Sequence, residues 1–87
     1  MNICIYTIDK CDKCLILKDY LNLIGIPYKE IKFINLNLLS NRLKDKLYVI
    51  NAPVLSIDDI YYDEPCLFEG DIIRYDLAEL LDKYMGD

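Results

Sequence analysis

The sequence predicts a small α/β domain whose elements follow the order β-α-β-α-β-β-α. Two observations carry that prediction. A β-branched run at residues 2–8 is followed by a leucine-rich segment of helical period and then by a second strand-like stretch, the pattern of two parallel strands joined by a helix. Further on, "PVLSI" and "IYY" are separated only by Asp58-Asp59, the pattern of an antiparallel hairpin. A parallel pair and a hairpin in so short a chain belong to one mixed sheet.

Each element has its own signals. Residues 2–8, "NICIYTI", hold β-branched and aromatic residues without Gly or Pro, as a buried strand does. From Asp12 onward Leu15, Leu17, Tyr20, Leu21, Leu23 and Ile24 recur near the helical period, with Gly25 placed to end the helix and Pro27 beyond it. "YKEIKFINL" (28–36) alternates apolar and polar residues and predicts the second strand. Over 37–48, Leu38, Leu39, Arg42, Leu43 and Leu47 return at helical spacing, with Asn37 as the candidate cap. Pro53 opens the third strand (53–57), at a position where a missing N–H is tolerated, and 60–62 form the fourth. Residues 63–70, "DEPCLFEG", read as a loop. In the last segment, 71–84, Ile72, Ile73, Leu77, Leu80, Leu81 and Tyr84 share one face and Asp71 is a natural N-cap for a closing helix.

At 87 residues the chain fits a single domain, 1–87, and its 54% hydrophobic content supports a real core. A net charge of −5, from 15 acidic and 10 basic residues, leaves no footprint for nucleic acid. No stretch approaches the ~20 apolar residues of a membrane span. "MNICIYTIDK" has no basic leader before its apolar run and reads as a first strand, not as a signal peptide. Four cysteines without an export signal, in a chain apolar enough to fold unstapled, predict a cytoplasmic protein with thiols mostly reduced at rest. Histidine is absent, so any chemistry must rest on cysteine, carboxylate, lysine or tyrosine.

The chemistry-bearing stretch is "TIDKCDKCLIL", where Cys11 and Cys14 fall at the join of the first strand and first helix. Unpaired N–H groups and the dipole of a helix N-terminus favour an anion at Cys11, which makes its thiolate the more accessible form. Cys14, one turn along, is within reach of a mixed disulfide formed on Cys11. Lys10 and Lys13 flank the pair and favour the thiolate, while Asp9 and Asp12 oppose them. Two other readings stand beside this one. Both cysteines could be structural, or they could be half of a metal site, for which the remaining Cys4 and Cys66 form no second pair. Cys4, inside a strand, reads as a small core residue.

With these residues in place the chain resembles the glutaredoxin family of the thioredoxin-like superfamily. "IYTIDKCDKC" has the family's spacing from strand tyrosine to first cysteine, "LNLIGIPYKEIKF" is similar to its helix end and second strand, and "NAPVLSID" looks like its cis-proline segment. The resemblance covers roughly residues 3–60. It implies the glutaredoxin-type thioredoxin-like fold, a four-stranded mixed sheet with helices on both faces. It also makes Pro53 the cis-proline, with the backbone of Ala52 pairing to an extended substrate. Departures are plain: Ile8 stands where the family commonly has lysine, for which Lys10 is a substitute, and Asp12-Lys13 replaces the usual Pro-Tyr. The family's Gly-Gly turn and acidic residue are reduced to Gly70-Asp71 within a longer loop that also carries Cys66.

The implied activity is a thiol–disulfide exchange with Cys11 as nucleophile and Cys14 as resolving thiol, and with substrate contacts from Lys10, Asp12, Lys13, Ala52, Pro53, Gly70 and Asp71. The implied partners are disulfide-containing or glutathionylated proteins. The implied reductant is glutathione, as a co-substrate and not a bound cofactor, or a thioredoxin reductase. The expected form is a monomer without bound metal. The alternative is a binding module on the same fold, either inert or holding a metal through Cys11 and Cys14.

Overall fold

The computed structural model describes residues 2–85, with side chains as far as Lys83. Strand β1 (Ile3–Ile8) turns Ile3 and Ile5 to one face and Cys4, Tyr6 and Ile8 to the other, and both faces are covered. It pairs in parallel with β2 (Lys29–Phe33) and antiparallel with β3 (Val54–Ile57), which pairs antiparallel with β4 (Ile60–Tyr62). The order β2-β1-β3-β4 is the four-stranded mixed sheet that the sequence predicts. β1 and β3 lie inside it, where neighbours on both edges and layers on both faces leave polar side chains little access to water.

Helices cover the two faces. Leu17 and Leu21 of α1 (Asp12–Leu23) and Leu77 and Leu81 of α4 (Tyr75–Met85) pack on Ile3, Ile5, Leu55 and Ile57. On the opposite face Leu39 and Leu43 of α2 (Leu36–Leu43) pack with Tyr6, Val49, Ala52 and Val54. Among the described residues no helix is long and apolar enough to cross a membrane.

Gly25 ends α1 as its position suggests. Its φ is +76°, and the next N–H, of Ile26, donates to the Leu21 carbonyl at 2.9 Å while that of Gly25 donates to Asn22 at 3.2 Å. This is the Schellman arrangement, sealed by contact between the buried Ile26 and Leu21 in one cluster. A Cβ at position 25 meets nothing within 4 Å, so only the left-handed backbone resists a side chain. Gly25→Ala is therefore expected to cost about 1 kcal/mol in a denaturant melt, without loss of fold.

The structure corrects several boundaries. β2 stops at Phe33, because its partner β1 ends at Ile8, and the pairing stops at that pair. The chain turns there, and Asn35 rather than Asn37 caps α2, accepting the Leu38 N–H at 3.0 Å. α2 closes at Leu43, so Leu47 reaches the core from the following loop. Of the residues recurring near the helical period, Leu15, Leu23 and Ile24 are exposed, since the buried stripe runs through Leu17 and Leu21.

The largest difference lies in residues 63–73, expected as a loop and a helix start. A short helix α3 (Glu64–Leu67) leads into β5 (Phe68–Glu69), which pairs with β6 (Ile72–Ile73) as a second, two-stranded sheet. Gly70-Asp71 is the two-residue turn between them, with Gly70 at φ +65° as the first position of a II′-type hairpin requires. Asp71 is thus a turn residue and not the N-cap of α4, and Ile72 is exposed. The Tyr84 side chain lies outside the described residues.

Candidate functional site

β1 ends in the Asp9-Lys10 turn, with Lys10 in the left-handed region at φ 55°, and this turn delivers Cys11 to the N-cap of α1. The Cys11 sulfur takes the place usually held by a serine or aspartate oxygen: the Cys14 N–H donates to it at 3.1 Å. Its carbonyl accepts the Leu15 N–H at 3.3 Å. Cys11 and Cys14 are joined by a disulfide, with their Cα atoms 5.2 Å apart. Cys14 is buried, whereas Cys11 is half-exposed. In the reduced state, the N–H and the helix dipole that now face Cys11 favour its thiolate.

The Ala52–Pro53 bond is cis. Ala52 belongs to the same packed cluster as Cys14, and Cys11 rests against that cluster. The structure therefore brings the cysteine pair and the Ala52-Pro53 turn together, although the turn and Cys11 are far apart in sequence. Lys10 and Asp12 line a cleft of about 250 Å³ with both cysteines, Leu15, Lys18 and Glu30. Gly70 and Asp71 are exposed at the tip of the β5–β6 turn and are not among the residues lining this cleft.

Two contacts at the site have no counterpart in the sequence reading. Lys13 reaches across to the buried Glu64 of α3, donating to its Oε2 at 2.5 Å, with the ammonium 5.7 Å from the centre of the Phe68 ring. The "DEP" start of α3, an acidic residue before proline, was the available signal for a helix there. The second contact is in the cleft itself, where Thr7 donates to Glu30 at 2.7 Å and Lys18 approaches the same carboxylate at 3.2 Å. The Thr7 hydroxyl first, and then Lys18 and Lys32, hold the Glu30 carboxyl below the usual carboxylate range against the opposing effect of burial.

The other two cysteines sit elsewhere. Cys4 on β1 is half-buried against the second core cluster, and Cys66 is exposed. Cys66 lines a larger groove, about 580 Å³, that includes neither Cys11 nor Cys14. Volume alone does not mark a reactive site, and the smaller cleft is the one that holds the sulfur accepting the capping N–H of α1. Asp63 accepts a hydrogen bond from Cys66, and this with burial pushes its thiol pKa up. A raised pKa means less thiolate at a given pH, so Cys66 is expected to alkylate at neutral pH more slowly than an unperturbed thiol. Asp63→Asn should speed it, as iodoacetamide labelling with peptide mapping would show. No group of three or more Cys, Asp or Glu side chains is arranged to hold a metal ion among the described residues.

No protein-family model and no curated protein matches the sequence. Structural comparison does find a counterpart: the crystal structure of glutaredoxin 1 from Francisella tularensis, solved in complex with cacodylate. The two share a TM-score of 0.68 and 18% sequence identity, over 99% of this chain and 98% of that one. Sheet order, helix placement and a Cys-x-x-Cys pair at the start of α1 agree with that likeness. The chain thus has the thioredoxin-like fold in its glutaredoxin-like form.

Proposed function

We propose that this chain is a small thiol–disulfide oxidoreductase in which Cys11 attacks and Cys14 resolves. The observation that carries the reading is the Cys11 sulfur at the N-cap of α1, receiving the Cys14 N–H at 3.1 Å and half-exposed beside the Ala52-Pro53 turn. In the forward half-cycle the Cys11 thiolate attacks one sulfur of a substrate disulfide, and the other leaves as a thiolate. Deprotonated Cys14 then attacks the Cys11 sulfur and releases the second substrate thiol. The substrate gains two electrons and the protein is left with the Cys11–Cys14 disulfide.

Substrates are protein disulfides or glutathione mixed disulfides. The Ala52 backbone pairs with an extended segment, Pro53 shapes that turn, and Leu15 offers an exposed apolar contact. Lys10 and Asp12 meet the substrate at the cleft mouth. Two electrons from glutathione or from a thioredoxin reductase restore the dithiol, as suits a reducing compartment such as the cytoplasm.

The test is thiol trapping across glutathione redox buffers, read by mass spectrometry of the Cys11–Cys14 peptide. A reversible disulfide with a midpoint between about −180 and −270 mV is expected. Cysteines that stay reduced in the most oxidising buffer, or that purify with bound metal, would leave the fold without the activity.

A further inference from the structure

We propose that Glu64 is a positioning residue of this site: its buried carboxylate holds the Lys13 ammonium and thereby sets how readily Cys11 ionises. The proposal rests on Cys11 being the attacking thiol. Lys13 is the second residue between the two cysteines, in the first turn of the helix that Cys11 caps. A free ammonium there would favour the thiolate. It is not free. Glu64 accepts from it at 2.5 Å, and the Phe68 ring lies on the same ammonium.

The surrounding charges give this pair its weight. The Asp9-Lys10 turn contributes one of each sign, and α1 adds Asp12, Lys13 and Lys18. β2 brings Glu30 and Lys32, α3 brings Glu64, and the cluster beneath the cysteines adds the phenols Tyr6 and Tyr61 and the free Cys4 thiol. Lys18 is paired with Glu30 and Lys32 with Asp9. Among these named groups four lysines face four carboxylates, and Glu64 is the buried carboxylate, where screening by solvent is weakest. It is also the only one supplied by a segment outside β1–α1–β2, so this chain's own α3 sets the net charge that the sulfur meets.

Glu64→Gln tests this with little change of shape, since the amide oxygen still accepts from Lys13 while the negative charge is gone. The readout is the pH dependence of Cys11 alkylation in the reduced protein, with the redox midpoint of the pair measured in parallel. Glu64→Gln is expected to lower the Cys11 pKa by about half a unit, a roughly threefold rise in thiolate at a pH well below it. The midpoint should become less negative, because a stabilised thiolate favours the reduced form. Glu64→Asp, which keeps the charge, should stay near wild type. The double variant Lys13→Gln with Glu64→Gln should return towards wild type.

An unchanged or raised Cys11 pKa in folded Glu64→Gln would overturn the proposal, as would a double variant that keeps the shift of the single one. If Glu64→Gln does not fold by circular dichroism, Lys13→Gln decides: with the Glu64 carboxylate left unpaired the Cys11 pKa should rise, and an unchanged or lowered value overturns the proposal. Failure of the redox reading itself would look different: the wild-type protein would show no reversible Cys11–Cys14 disulfide.

Discussion

Cys11→Ser is expected to bring disulfide reduction down to the uncatalysed rate, a loss of about three orders of magnitude or more. A serine hydroxyl at the α1 N-cap keeps the capping hydrogen bond, so the fold should survive while the nucleophile is lost. Cys14→Ser should behave differently. The Cys11 thiolate still forms, attacks and becomes trapped as a mixed disulfide with a protein substrate. On a glutathionylated peptide, added glutathione can complete the exchange from outside, and part of the activity should remain. Mass spectrometry of the trapped species and turnover with the two substrate types separate these outcomes. Equal and mild losses from both substitutions would rule out the assigned roles.

The largest effect on stability is expected at Leu55. It is fully buried in β3, paired across to Ile5 of β1 on one side and to Tyr62 of β4 on the other. Leu55→Ala removes side-chain volume where the two central strands and the α1–α4 layer meet, and should cost about 2–5 kcal/mol. For a chain this short that is a large share of a total of about 5–15 kcal/mol, so the thermal midpoint should fall by at least about 10 °C. Leu15→Ala is the contrast: Leu15 is 55% exposed, and its loss should stay within about 0.5 kcal/mol. Thermal melts of the two variants followed by circular dichroism would check both numbers. A Leu55→Ala protein as stable as the Leu15→Ala one would contradict the burial of Leu55 between the central strands and the α1–α4 layer.

Most of the fold was legible because its longer elements carry a period. β1, α1 and the hairpin of β3 and β4 announce themselves through alternation, leucine spacing and Asp58-Asp59. Cys11 and Cys14 could be placed at a helix N-terminus for the same reason. Elements of two to four residues, such as α3, β5 and β6, are too short for any period, and only turn chemistry marks them. Gly70-Asp71 between "FE" and "II" was that mark, and its competing reading as a helix cap was wrong because the ladder to Ile72–Ile73 comes first. The choice between Asn35 and Asn37 was set by where β1 runs out, a tertiary fact. Lys13 and Glu64 meet across a separation of 51 residues, and a carboxylate so remote gives no local sign of its partner.

The even mixture of charge around Cys11 has a kinetic consequence. The chain as a whole is at −5, so its excess negative charge resides away from the dithiol. Its far field should draw basic partners into encounter and slow anionic ones such as oxidised glutathione, yet orient neither towards the sulfur. Added salt should therefore speed reduction of anionic disulfides and slow that of basic proteins, by changing how often they arrive and not how fast they react. Stopped-flow rates over a range of ionic strength, with one substrate of each sign, would resolve the two slopes.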